Sequence, residues 1–227
     1  MTNHFEVKLI AITNPTISIQ DTSGQSKTLT PEEIIAYCAR VSNPNNQLNL
    51  DTMPKLLKYL RDHKHWSPFE MVSATLEIVT SRGIAPQILR HRSFSFQEFS
   101  QRYQSLDESG VVIYAARRQD KKNKQNSIDD LDDSIKQEWN DRQLSNWRVC
   151  FDNYVWALNN GIAKECARTV LPLGAQTRLY MSGTVRSWYH YFEVRCDPST
   201  QLEHREIAMA CRSALKEHFP ILFGEEV

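Results

Sequence analysis

The sequence predicts an α+β fold with several helices and few strands, on three observations. Helix-capping signatures precede stretches of three-to-four-residue apolar spacing, and strict apolar/polar alternation is confined to short segments. Only 7 glycines occur in 227 residues, with no fixed-period repeat or low-complexity linker, so one domain over residues 1–227 is expected.

The elements follow in order. Thr30-Pro31-Glu32-Glu33 supplies a capping Thr, a Pro in the first turn and a Glu three residues on, which predicts a helix from about 31 to 41 with Ile34, Cys38 and Val41 at helical spacing. A second helix is predicted from Pro54 to His63 with Leu56, Leu57 and Leu60 inward. Val72, Ala74, Leu76 and Ile78 then alternate with Ser73, Thr75 and Glu77 as in a half-buried strand, and another short strand is expected at Val111 to Ala115. Residues 117–133, RRQDKKNKQNSIDDLDD, run from a basic half to an acidic half with almost no apolar side chain, the pattern of a mobile, solvated insertion. From about Asp132 to Asn160, Trp147, Phe151, Tyr154 and Leu158 step by four, three and four before Gly161, implying a long helix with a bundle face. Ala163 to Leu171 reads as a helix stopped by Pro172, and Gln176 to Thr184 as a strand. Thr200 with Glu203 caps a last helix, with Ile207, Cys211, Ala214 and Leu215 inward until Pro220 ends it.

Composition narrows the function classes. The chain is 41% apolar, 10% aromatic and 24% charged, with 27 Lys plus Arg against 27 Asp plus Glu, so no whole-molecule field favours nucleic acid or an acidic membrane. The longest apolar stretch near the start, Leu9 to Ile12, is too short for a signal peptide, and no run approaches the length of a membrane helix, so a cytoplasmic protein without a membrane partner is expected. Cys38, Cys150, Cys166, Cys196 and Cys211 are odd in number, widely spaced and never paired as C-x-x-C, which signals neither a disulfide framework nor a metal site.

Chemistry concentrates in Arg90-His91-Arg92-Ser93-Phe94-Ser95-Phe96-Gln97-Glu98-Phe99-Ser100-Gln101-Arg102-Tyr103. Three guanidinium groups, an imidazole, a carboxylate and several hydroxyls form an inventory for gripping an anion and a heterocycle together. An Arg-rich stretch is ordinarily a solvated face. Here Phe94, Phe96 and Phe99 interleave with the polar groups, so part of the segment must be buried, and a buried Arg needs an anionic partner.

Arg90-His91-Arg92, seven residues and then Ser100 resembles the signature of the flavin-dependent thymidylate synthases, and Glu98, Arg102 and Tyr103 also fit it. Four further blocks resemble that family in order: Ala39-Arg40-Val41-Ser42, His65-Trp66-Ser67-Pro68-Phe69-Glu70, Ala167-Arg168-Thr169-Val170-Leu171-Pro172, and Val185-Arg186-Ser187 through His190 to Arg195 with Gln201 and Glu203. The resemblance spans about residues 36 to 215. It implies a central, mostly antiparallel sheet with flanking helices, a homotetramer with sites at subunit interfaces, and reductive methylation of dUMP to dTMP. FAD would be the cofactor, with NADPH and 5,10-methylenetetrahydrofolate as co-substrates.

By that resemblance, Gln87, Arg90, Glu98, Ser100, Gln101, Arg102 and Arg168 surround dUMP, some from one subunit and some from its neighbour. Ser67, His91, Arg92, Glu98, Thr184, Val185, Arg186 and His190 line FAD, and Arg195 meets the uracil ring as the catalytic residue, favouring ionisation at N3. A fixed guanidinium there stabilises the negative charge that methylation at C5 requires. Ser100 lacks an evident base and is read as binding rather than nucleophilic. His65 is open between a flavin or folate contact and an ordinary capped or core histidine. Gln97 stands where the family often has Asn, and Thr184-Val185 where it often has Asn followed by Ala or Leu. Two rival classes are a nucleotide- and flavin-binding protein of the same fold without catalysis, and an RNA-contacting module that zero net charge disfavours.

Overall fold

The computed structural model describes residues 5–20, 25–107 and 110–224. In chain order the elements are β1 (Glu6–Ile12), β2 (Ser18–Gln20), β3 (Ser26–Thr28), α1 (Pro31–Ala39), α2 (Met53–Asp62), β4 (Ser73–Ser81), α3 (Ala85–Ile88), β5 (Ser95–Glu98), β6 (Arg118–Gln119), β7 (Ser127–Ile128), α4 (Asp133–Asn159), α5 (Lys164–Ala167), β8 (Gln176–Thr184), α6 (Val185–Arg195), α7 (Leu202–Lys216) and α8 (Pro220–Phe223). Short 3-10 turns lie at Pro44–Asn46, Ser67–Glu70 and Arg168–Val170.

The expected α+β class and antiparallel sheet are present. The main sheet runs β1-β4-β8-β5 with every pairing antiparallel, and β2-β3 and β6-β7 form two small hairpins. Alternation in β4 turns Ala74, Leu76 and Ile78 to one face, where they lie opposite Gly183, Met181 and Leu179 of β8. That face is covered by Trp188, Tyr191 and Phe192 of α6 and Ile207, Cys211 and Leu215 of α7, all buried. Each fully buried aliphatic side chain there contributes about 1.5–3 kcal/mol of transfer free energy. The Trp188 indole N–H finds an acceptor at the Ala74 carbonyl, 3.1 Å away, so the largest core side chain is also polar-satisfied.

Several local readings hold and others change. The Thr30/Glu33 capping box forms with both hydrogen bonds. The buried face of α1, however, carries Glu32, Glu33, Ile35 and Ala36, while Val41 is exposed. Lys27 pairs with Glu33, and the amides of Ile221 and Leu222 satisfy Glu32, so tertiary partners override the apolar spacing. Val111 to Ala115 is not a strand; it contributes one isolated bridge, Val111 to Ala175. The expected 163–171 helix splits into α5 and a 3-10 turn. Thr200 does not cap α7, because its hydroxyl donates to the Val194 carbonyl and Gln201 holds the cap position. The last helix ends at Lys216, and Pro220 opens α8 instead of terminating α7.

The long helix α4 covers the predicted span, and Gly161 follows it at φ +76°, the left-handed region glycine tolerates. Its buried Tyr154 and Ala157 pack against Ala167 of α5, while buried Trp147 lines a cavity with residues 111–114 and 172–174, which makes a local satellite rather than the expected bundle face. Within residues 117–133, the expected mobile surface insertion, lies the β6-β7 hairpin, beside which Arg118 of the basic half pairs with Asp130 of the acidic half. No described helix is long and apolar enough to cross a membrane. No cluster of three or more His, Cys, Asp or Glu among the described residues could hold a metal.

Candidate active site

The arginine-rich segment wraps the end of the sheet, and α6 is the element that holds it. This helix follows β8 without a loop: Thr184 ends the strand and caps the helix, its hydroxyl accepting from the Ser187 amide at 3.3 Å. Threonine and asparagine both cap helix N-termini, so Thr184 keeps the local geometry that an Asn would give.

Two ridges of α6 face two different parts of the candidate site. Ser187, Tyr191 and Arg195 step by four along one ridge and all contact residues 91–94. The Ser187 hydroxyl donates to the Ser93 carbonyl at 3.1 Å, Tyr191 packs edge-on to His91 with centroids 4.8 Å apart, and Arg195 Nε donates to His91 Nε2 at 2.8 Å. On the neighbouring ridge Arg186 pairs with Glu70, and His190 packs against Trp66 with centroids 4.5 Å apart. Those contacts fix the 3-10 turn that carries Ser67, so Ser67, Arg186 and His190 share one edge of the helix. His65 is exposed beside it, its ring edge-on to Tyr59.

Phe94 anchors the arginine loop from below. Its ring lies edge-on to Trp188 at 4.8 Å and rests directly on Gly183, where a Cβ would overlap it. Glycine is therefore required at this position by close approach. With Phe94 pinned, Arg90 and Arg92 project as exposed side chains that make no ion pair among the described residues.

The His91–Arg195 bond fixes a protonation state. Nε2 accepts, so the imidazole is neutral with its proton on Nδ1; burial, then the adjacent Arg195 charge, push its pKa down to about 4. With Nε committed, the terminal nitrogens of Arg195 stand outside this bond.

A second group lies past the other end of β5. Glu98 Oε1 accepts from Arg82 at 2.8 Å and from the Thr177 hydroxyl at 3.0 Å, and Arg82 also donates to the Phe99 carbonyl. Burial lowers the pKa of Arg82; Glu98 opposes that shift, and the neighbouring Arg168 charge adds to it. Ser100 and Arg102, with Tyr103, Lys164 and Glu165, line an open cavity of about 310 Å³ in which Arg102 pairs with Glu165 at 3.1 Å. Gln101 is buried and its side-chain amide nitrogen has no partner among the described residues. Arg102 and Lys164 line this cavity with Glu165, a net cationic lining suited to a phosphate, while Arg82, paired with Glu98, feels the charge of Arg168.

The expected site residues therefore fall into two groups in one chain. Gln87, Arg90, His91, Arg92, Thr184, Val185, Arg186, His190, Arg195 and Ser67 gather around α6; Glu98, Ser100, Gln101, Arg102 and Arg168 gather beyond β5. Three intervals of about 3.3 Å along β5 already separate Ser95 from Glu98 by about 10 Å. Val185 itself is buried, and its amide donates to the Val72 carbonyl. Sequence reading passed over Arg82 and Thr177, which hold Glu98, and Tyr191 and His204, which sit behind His91 and Gln87. Arg40 of the early block is a scaffold residue, buried and bonded to the Asn49 carbonyl and to the Thr52 hydroxyl.

The first group has the donor set for a flavin nucleotide. Arg92, without an ion pair among the described residues, the Ser67 hydroxyl and the capped amino end of an eleven-residue helix meet the needs of a pyrophosphate, and the Trp66 and His190 rings flank the turn that carries Ser67.

Comparison with known proteins bears on this arrangement. Residues 25–221 match the family described as thymidylate synthase complementing protein. The chain is 55% identical over 215 residues to the flavin-dependent thymidylate synthase of Synechocystis sp., covering 95% of this chain and 96% of that one. It is 49% identical over 213 residues to a probable flavin-dependent thymidylate synthase of Paramecium bursaria Chlorella virus 1, covering 94% of each. Its fold is similar to the crystal structure of the UMP/dUMP methylase PolB from Streptomyces cacaoi bound with 5-Br dUMP, with a TM-score of 0.80 at 23% identity, covering 97% of this chain and 93% of that one.

Proposed function

The chain belongs to the flavin-dependent thymidylate synthase family, and from that membership we propose that it reductively methylates dUMP to dTMP with FAD as cofactor. The single observation that carries this reading is the pairing of Arg195 with a neutral His91 beside Arg90 and Arg92, which make no ion pair among the described residues, in a chain 55% identical to a named synthase along nearly its whole length. That identity favours catalysis over a binding protein of the same fold.

Methylation at C5 needs electron density on the pyrimidine. The Arg195 guanidinium supports it: its Nε is held by His91, and its terminal nitrogens meet N3 and the adjacent carbonyl oxygen of uracil, stabilising the charge without reorganisation. Arginine keeps its charge when desolvated, which suits the half-buried position. Arg90 and Gln87 flank the same nucleotide. Ser67, His91, Arg92, Thr184, Val185, Arg186 and His190 hold the FAD, with Glu98 at the border of both ligands. When bound, FAD reduced by NADPH would supply the hydride; the methylene of 5,10-methylenetetrahydrofolate would supply the carbon, with the C5 hydrogen lost as a proton and tetrahydrofolate released.

Ser100, Gln101, Arg102 and Arg168 grip the phosphate through hydroxyl, amide and guanidinium donors. Family membership supports a homotetramer in which each complete site draws the phosphate group's partners from a neighbouring copy. His65, exposed beside the turn that carries Ser67, fits a contact at the outer edge of the flavin and folate.

Purified protein stripped of flavin is to be assayed with dUMP, methylenetetrahydrofolate and NADPH, with and without added FAD. FAD-dependent dTMP is expected. No dTMP in the presence of bound FAD and dUMP would overturn the reading.

A further inference from the structure

We infer that His204 is a positioning residue with two arms, one holding Gln87 and the other setting Tyr191, the ring against which His91 and hence Arg195 is placed. The inference rests on the reading that Gln87 and Arg195 meet the nucleotide. No block of the family resemblance includes His204 in the site.

His204 lies at the start of α7 and is fully buried, with 0% of its surface exposed. Its Nδ1 is 3.3 Å from Gln87 Oε1 and its Nε2 is 3.1 Å from the Tyr191 hydroxyl. A carbonyl oxygen only accepts, so Nδ1 carries the proton; a neutral imidazole has one N–H, so Nε2 accepts from Tyr191. Burial and the nearby Arg195 and His91 keep the ring neutral.

The direction continues outward. Gln87 Nε2 donates to Gln201 Oε1 at 2.7 Å, Gln201 Nε2 donates to Glu203 Oε2 at 3.0 Å, and Arg117 closes the chain on Glu203 Oε1 at 2.7 Å. Every donor from Tyr191 to Gln201 points toward the Glu203 carboxylate. Reversing the Gln87 amide alone would set its nitrogen against the buried His204 Nδ1–H and its oxygen against Gln201 Oε1, so the chain that ends on the Glu203 carboxylate favours one orientation of Gln87. At the other end, the Tyr191 ring anchored by His204 packs edge-on to His91 at 4.8 Å, and His204 itself lies 6.2 Å from His91.

The arms can be separated. Asparagine places an amide near the Nδ1 position of a histidine, whereas glutamine reaches the Nε2 position. His204→Asn keeps the donor to Gln87 and loses the acceptor for Tyr191; His204→Gln does the reverse. Loss of one net hydrogen bond corresponds to about tenfold. His204→Asn is therefore expected to lower kcat about tenfold with dUMP affinity nearly unchanged. His204→Gln is expected to weaken dUMP about tenfold, by calorimetry, with kcat nearly unchanged. Tyr191→Phe, which keeps the core volume and removes only the hydroxyl, should reproduce His204→Asn even if the His204 variants fold poorly.

Equal changes in kcat and dUMP affinity in both His204 variants, or a lowered Tm with neither quantity changed, would overturn the inference. A wild-type protein that makes no dTMP would instead overturn the proposed function. In that case nitrogen-15 imidazole spectra decide about His204: the His91 resonances must shift in Tyr191→Phe, and unchanged His91 signals would sink the positioning role.

Discussion

Arg195 and His91 form a donor–acceptor pair of fixed direction: the guanidinium Nε–H points at imidazole Nε2, 2.8 Å away. The pair holds only while that imidazole is neutral, which its pKa of about 4 ensures near pH 7. His91→Ala is expected to lower kcat by at least about tenfold through loss of this acceptor, whereas His91→Gln, which can place a carbonyl oxygen near Nε2, should lose less. Steady-state kinetics with saturating FAD check this ordering. Equal losses in the two variants would assign His91 to flavin contact alone.

Gly183 and Phe94 make a second dependent pair. Gly183→Ala puts a methyl group into the Phe94 ring, and overpacking of this kind costs about 1–3 kcal/mol. Because Phe94 anchors residues 91–93, the variant should also bind FAD more weakly. Adding Phe94→Leu should recover Tm in part by making room. Differential scanning calorimetry of the single and double variants reads the coupling, and additive effects would contradict it.

Glu32 gives a pH dependence of definite sign. Burial raises its pKa to about 7 from an ordinary 4.5, despite the amides of Ile221 and Leu222. The folded chain then binds more protons than the unfolded one between those values, so stability falls as pH rises from about 4.5 to 7. Glu32→Gln keeps an acceptor for the amides and removes the titration. It should raise stability by about 1–3 kcal/mol at pH 8 and change it little at pH 4.5, as read by denaturant unfolding.

His91 and His204 act with the opposite sign. Their folded pKa values, about 4 and about 3, lie below the ordinary 6.5, and burial is the main cause of both shifts. The unfolded chain takes up protons first, so stability is lost as pH falls from about 6.5 toward 4. The acid limb of a Tm profile should be shallower in His204→Gln than in the wild type. An identical limb would show that His204 does not titrate on unfolding.

These pairs also mark what was legible beforehand. The capping box at Thr30 and Glu33 and the alternation from Val72 to Ile78 are local signals, and both elements form within a few residues of their predicted bounds. The α6 helix carries no loop before it and no proline to mark its start, so its site residues could be listed without the helix that orders them. The inward face of α1 went to Ile35 and Ala36 because Glu32 and Glu33 find partners more than a turn away in sequence, at Ile221 and Lys27. The arginine motif announced a site through residue types at fixed spacing. Its wiring through Tyr191 and His204 depends on segments about a hundred residues apart, and no periodicity records that.

Under the proposed function, catalysis joins the Arg195 group of one chain to the Arg168 group of another. Arg195→Ala should nearly abolish dTMP formation with FAD still bound, and Arg168→Ala should cripple dUMP binding. Mixing the two variants under conditions that exchange subunits tests the claim most directly. Random pairing would rebuild intact sites at about a quarter of positions, so dTMP formation should return toward about a quarter of the wild-type rate. Mixed oligomers, verified by mass, that remain as inactive as either parent would contradict it.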